Sequence, residues 1–128
     1  MALSVSAAAG IVSSGVDGVG YATGAGGVVT QLTNKATGVT LNKACGQVTM
    51  NGAALNAGVI VSFVMTNSSI VAGDVLVLNH LSGGTIGSYT LNAQSANGSA
   101  TINVRNNTGG ALSEALVIAF AIVKAVAA

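Results

Sequence analysis

The clearest pattern in the chain is an alternation of large and small apolar residues near its C-terminus. Large side chains at even positions alternate with smaller ones at odd positions: Leu116, Ile118, Phe120 and Ile122 against Val117, Ala119, Ala121, Val123 and Ala125. A β-strand places these two sets on opposite faces. Because a strand that is apolar on both faces cannot border water, we expect it in the middle of a sandwich or against another subunit.

Two other structures for this segment are less consistent with its residues. An α-helix would be apolar all round, which is uncommon in soluble proteins, and the Val and Ile content favours a strand. The uncharged run over residues 115–123 would span only about 14 Å as a helix, against a hydrocarbon core of about 30 Å. The segment is therefore predicted to be buried in protein, and no membrane partner is expected.

Short apolar runs separated by turn residues recur from residue 28 onward, which is typical of all-β proteins. Turns are predicted at residues 43–46 and, as a hairpin, at Asn97 and Gly98. With the C-terminal strand, the runs make about eight strands and predict an antiparallel β-sandwich of the jelly-roll type. The earlier strands are predicted at residues 28–33, 38–42, 47–51, 59–66, 74–81, 88–93 and 100–105.

The chain divides into two regions of different composition. Residues 1–27 are rich in Gly, Ala and Ser and have only brief apolar runs, which predicts a flexible N-terminal arm. A frayed terminus without a role is the alternative for this region. Residues 28–128 are predicted to form the β-sandwich domain, with a single core of ordinary size.

Charge is scarce in this composition. Charged residues make up 5% of the chain and the net charge is +1, where a soluble domain has about 25% charged residues. Because phosphate binding needs clustered Lys and Arg, no nucleic-acid partner is predicted. Weak repulsion between copies suits a homo-oligomer. The N-terminus lacks the features of a signal peptide, and the single Cys45 cannot form an internal disulfide.

Residue types that carry out catalysis or bind metal ions are also sparse. His80 is the only histidine, and on a regular strand Asp74 would share its face but lie about 20 Å away. We therefore expect His80 to end a strand and bond to a loop, rather than to join a catalytic triad. One histidine, one cysteine and three carboxylates offer no clustered ligand spacing. The prediction is a protein that is not an enzyme and uses no metal or cofactor.

Five segments together resemble a β-domain found in virion proteins of tailed bacteriophages and prophages. The resemblance extends roughly over residues 20 to 126, and its motifs are structural, so they specify the fold family better than the role. The segments are residues 20–27 (GYATGAGG), 37–43 (TGVTLNK), 45–51 (CGQVTMN), 74–80 (DVLVLNH) and 113–116 (SEAL).

The resemblance implies a structural protein of the virion that is made in the host cytoplasm. In this group the domain serves as a small head protein or as the C-terminal module of a tail fibre. The chain begins with its own methionine and has no shaft, which favours a capsid decoration, or cement, protein. Such a protein is expected to form homo-oligomers, most often trimers, on the major capsid protein of the phage head.

Two sets of residues are candidates for these contacts. The smaller face of the C-terminal strand is the candidate oligomer interface, with Val117, Ala119, Ala121 and Val123. The apolar residues of the arm are candidates for anchoring the protein to the capsid: Ile11, Val12, Val19 and Tyr21. The alternative function is a fibre tip that binds a host receptor or a glycan through an exposed aromatic or polar platform. A small hydrolase is a third hypothesis, and it lacks a plausible triad.

Overall fold

The computed structural model describes residues 10–128, which form eight β-strands and no helix. The first nine residues of the predicted arm lie outside the described residues, and residues 10–25 contain no strand. The strands are β1 (Gly26–Thr30), β2 (Val39–Thr40), β3 (Cys45–Thr49), β4 (Ile60–Thr66), β5 (Val75–Ser82), β6 (Tyr89–Ala96), β7 (Ser99–Asn106) and β8 (Val117–Val123).

These strands form two four-stranded sheets that pack face to face. Sheet A has the order β1-β3-β8-β5, and sheet B has the order β2-β4-β7-β6. Every connection between consecutive strands crosses from one sheet to the other, except the β6–β7 hairpin. The predicted all-β sandwich of about eight strands is therefore confirmed. It departs from a wholly antiparallel arrangement at two edges, because β1 pairs with β3 and β2 with β4 in parallel.

The parallel β1–β3 pair corrects part of the turn predicted at residues 43–46. The chain bends at residues 43 and 44, but Cys45 and Gly46 belong to β3, and Gly46 lies beside Gly27 of β1. A Cβ atom on Gly46 would lie 2.3 Å from the carbonyl oxygen of Gly27. Glycine is thus required here because two backbones approach closely within a sheet, and a turn is not its reason.

The core fills the space between the inner faces of the two sheets. Each strand alternates between inward and outward side chains, so one apolar set from each sheet meets the other. Removing such a side chain from water stabilises the fold by about 1.5–3 kcal/mol. The central contributions are Val48, Ile118, Phe120 and Ile122 from sheet A, and Phe63, Met65, Ile102 and Val104 from sheet B.

The predicted hairpin at Asn97 and Gly98 is confirmed. It joins β6 to β7, with Ala96 paired to Ser99, and Gly98 has a φ of 80°. The backbone N–H of Gly98 also donates to the carbonyl of Ile70 at 2.9 Å. The hairpin is therefore held against the β4–β5 connection, at one end of the sandwich.

Candidate interface on the outer face of sheet A

The alternation in β8 places its smaller residues on the outside of the sandwich. Ile118, Phe120 and Ile122 face the core and are buried, whereas Ala119 and Ala121 face outward and are partly exposed. The remaining members of the candidate interface, Val117 and Val123, also face outward. The chain itself thus covers only the large face of this strand, although the sequence predicted cover on both.

The strands beside β8 extend this outward apolar surface. Val75 and Val77 of β5 lie opposite Val123 and Ala121, and Cys45 of β3 lies opposite Ala121 on the other side. The exposed fractions of Val75, Val77 and Val123 are 51%, 53% and 50%. We call this surface the apolar face: Val28, Cys45, Val75, Val77, Val117, Ala119, Ala121 and Val123.

The apolar face is uncharged, and the smallest side chains lie along its middle. None of the four strands of sheet A contains a Lys, Arg, Asp or Glu. Ala121 lies between the taller Val77 of β5 and Cys45 of β3, whereas Ala119 lies between the polar Asn79 and Gln47. A partner covering this face would remove aliphatic surface from water without desolvating a charge.

The arm leaves the body of the protein at the border of the apolar face. The Tyr21 hydroxyl donates a 2.6 Å hydrogen bond to the carbonyl oxygen of Ile122 in β8. An open groove of about 940 Å³ separates the arm from the end of β8. Its arm side is lined by Ile11, Val19 and Tyr21, and its β8 side includes Ala121 and Val123. The structure therefore brings candidates from the arm and from the interface together, whereas Val12, Val117 and Ala119 lie outside the groove.

A lysine and an aspartate mark the end of β8. The ammonium group of Lys124 lies 2.6 Å from a carboxylate oxygen of Asp74, and the side chain of Asp74 is 1% exposed against 61% for Lys124. Hydrogen bonds from Lys124 and from the backbone N–H of Val71 hold the pKa of Asp74 below its ordinary value. This pair ties the start of β5 to the residue after β8.

The outer face of sheet B has a different character. The side-chain amide of Asn103 donates to Asn92 at 2.6 Å and to Gln94 at 2.7 Å. Ser62 donates to the amide oxygen of Asn103 at 2.6 Å. These neutral side chains form a hydrogen-bonded ladder across β4, β7 and β6. The two outer faces thus differ: a hydrogen-bonded polar ladder crosses sheet B, with Ile60 and Val64 exposed beside it, and a valine-rich surface lies on sheet A.

Glu114, Tyr89 and His80 form hydrogen bonds around the loop that follows β5. Glu114 accepts hydrogen bonds from the hydroxyl and N–H of Thr85 at 2.7 and 2.8 Å, and from the Tyr89 hydroxyl at 2.7 Å. The bonds from Thr85 and Tyr89 lower the pKa of Glu114, and burial together with Glu114 raises the pKa of Tyr89. His80 bonds the carbonyl of Gly83 at 2.5 Å, which confirms the loop contact predicted for it.

The burial of Lys35 was not predicted from the sequence. Its side chain is buried, and its ammonium group donates to the backbone carbonyls of Asn51, at 2.5 Å, and Glu114. Burial lowers the pKa of Lys35, and the nearby Glu114 partly opposes this. Its partners are main-chain oxygens distant in sequence, and no residue pattern around Lys35 indicates them. Lys35 thus joins three loops of the sandwich.

The described part of the chain contains neither a metal-ligand cluster nor a membrane-spanning helix. Across residues 10–128, no three side chains of His, Cys, Asp or Glu are grouped so that they could hold a metal ion. The same residues include no helix of the length and hydropathy needed to cross a membrane. The chain matches no protein-family model, no curated protein and no solved structure.

Proposed function

We propose that this chain is a structural protein of a tailed-phage virion, a decoration protein that forms homo-oligomers, trimers by preference, and reinforces the head shell. The apolar face is the observation that carries the proposal. A partly exposed aliphatic surface without charge on a folded sandwich is typical of an interaction site that a binding partner covers. The resemblance to virion β-domains supports a phage head, with the major capsid protein as the partner.

Assembly on a shell suits the chemistry of this surface. Burying apolar surface contributes about 25 cal/mol per Å², and no charged group on the strands of sheet A has to lose its water. An array of binding sites on the shell also multiplies weak individual contacts, because each bound copy holds its neighbours close to their sites. Modest contacts between copies would therefore be sufficient for stable occupancy.

The proposal is tested by mixing the purified protein with phage heads from which it has been stripped. We expect regular density at fixed lattice positions in electron micrographs, and greater resistance of the heads to heat. Heads that stay bare at saturating protein concentration would contradict a decoration role.

A matched pair of variants links head binding to the apolar face. Val77 is 53% exposed on sheet A, and Val64 is 46% exposed on the outer face of sheet B. Val77→Lys places a charge in the proposed contact and should strongly reduce lattice occupancy. Val64→Lys adds the same charge elsewhere and should leave occupancy unchanged, so equal losses in both variants would contradict the assignment of this face.

The outer face of sheet B supports a second candidate function, a fibre tip that binds a glycan or receptor. The ladder of Ser62, Asn92, Gln94 and Asn103 offers neutral donors and acceptors, which match the hydroxyl groups of sugars. Binding of the protein to host cells or glycan arrays, lost in Asn103→Ala, would favour this function. Binding to stripped heads that persists in Asn103→Ala would favour decoration.

A further inference from the structure

The arm carries aliphatic side chains that its own chain leaves uncovered. Ile11, Val12 and Val19 are 71%, 85% and 79% exposed, and Val16 is fully exposed. Between them stand mainly Gly and Ser residues, which add little bulk and no charge. The segment thus has apolar side chains on a slender backbone, and most of their surface stays exposed to water within one chain.

The apolar face is the matching uncovered surface. Val28, Val75, Val77 and Val123 are at least half exposed, although the arm starts beside the end of β8. Alanines along the middle of the face let another backbone approach closely, since Ala119 and Ala121 project only a methyl group. Aliphatic side chains of a slender segment can therefore lie between its valines.

The length of the arm allows a contact between different copies. Tyr21 fixes the arm at the end of β8, and the ten residues from there to Ile11 span up to about 33 Å when extended. A four-stranded sheet is only about 14 Å across. The arm is thus long enough to reach beyond its own sheet to a neighbour.

Charge is consistent with this placement. Asp17 is the only charged residue between residues 10 and 27. Lys124, with a side chain that is 61% exposed, lies at the border of the apolar face and lines the groove there. A carboxylate carried by an arm across this face would meet a cation at its border, a modest favourable contact.

We propose that the arm of one copy, through residues 11–19, covers the apolar face of a second copy. The inference rests on the proposed self-assembly and assigns the arm to contacts between copies, where the sequence predicted an anchor on the capsid. Exchange of arms removes both uncovered surfaces from water in one contact. It also joins copies without requiring two flat sheets to stack.

Disulfide trapping between two single-cysteine variants tests this exchange. In a Cys45→Ser background, Val16→Cys places a thiol on the arm and Val77→Cys places one on the apolar face. The two variants are co-expressed with tags of different size and treated with a mild oxidant. We expect the mixed, arm-to-face dimer as the main cross-linked product, with like-to-like products near background. Val64→Cys in place of Val77→Cys is the matched control and should reduce the mixed product to background.

The other outcomes each overturn the exchange. Efficient cross-linking of Val77→Cys to itself, without an arm-to-face product, would mean that sheets stack directly. A variant that carries both Val16→Cys and Val77→Cys could instead form a disulfide within one chain. That disulfide, with no mixed dimer, would mean that the arm covers its own face. No cross-link at all would mean that the arm does not reach the face.

Binding to stripped heads separates this inference from the proposed function. A mixed dimer from a protein that ignores phage heads would uphold the exchange and end the decoration role. Occupied heads without a mixed dimer would uphold the decoration role and contradict the exchange of arms.

Discussion

Single residues hold this sandwich at points that its apolar pattern does not reveal. Gly46 allows two backbones to approach within sheet A, because a Cβ atom there would lie 2.3 Å from the carbonyl oxygen of Gly27. Lys35 and Glu114 hold loops by bonding main-chain groups far away in sequence. Such residues connect segments whose own sequences do not specify their mutual position.

Gly46→Ala should destabilise the protein. The added methyl group must displace the β1 backbone, so we expect a loss of about 1–3 kcal/mol in the free energy of unfolding, measured by urea denaturation. Gly52→Ala is the control, because a Cβ atom there meets nothing within 4 Å. Equal stabilities of the two variants would contradict the close approach.

Glu114 should make the fold sensitive to acid. Hydrogen bonds lower its folded-state pKa from the ordinary value of 4.5, so its contribution is complete above that pH and is lost as pH falls toward the folded-state pKa. Melting temperatures from about pH 7 down to about pH 3 should therefore decline less steeply in Glu114→Gln than in the wild type. An identical decline in both would show that Glu114 titrates alike in the folded and unfolded chain.

At the scale of elements, β8 determines both the core and the candidate interface. Its larger residues fill the space between the sheets, and its smaller residues lie on the apolar face. Substitutions at even-numbered residues of β8 should therefore affect mainly stability, and those at odd-numbered residues mainly assembly.

Substitutions at neighbouring positions of β8 test this separation. Ile118→Ala opens a cavity in the core and should lower the free energy of unfolding by about 2–5 kcal/mol. Val117→Ala, on the outer side, should change it by less than about 1 kcal/mol, measured at the same protein concentration. Comparable losses at both positions would contradict the assignment of the two faces.

The sequence predicted the larger elements well because period-two alternation survives in them. It identified the β6–β7 hairpin and the two faces of β8, but alternation cannot say which face the chain itself covers. It missed that β1 pairs with β3, and β2 with β4, in parallel, since such short segments carry no signal of strand direction. Gly46 was interpreted as part of a turn because both tight turns and close backbone contacts require glycine.

At the scale of the whole molecule, the sandwich has two unlike outer faces. Sheet B presents a ladder of neutral polar side chains bonded to one another, with Ile60, Val64 and Arg105 exposed beside it. Sheet A presents mainly aliphatic side chains, with the polar Gln47 and Asn79 among them. With charged residues at 5% of the chain, little repulsion opposes contact between copies. This asymmetry favours assembly through one defined side over unspecific association.

Molar mass in solution tests the apolar face most directly. Light scattering over a dilution series is measured for the wild type, for Val77→Lys and for Val64→Lys. We predict a multiple of the 12.3 kDa chain mass for the wild type and Val64→Lys, and a fall toward the single-chain mass for Val77→Lys, with melting retained. A wild type that stays at 12.3 kDa at every concentration would contradict the account.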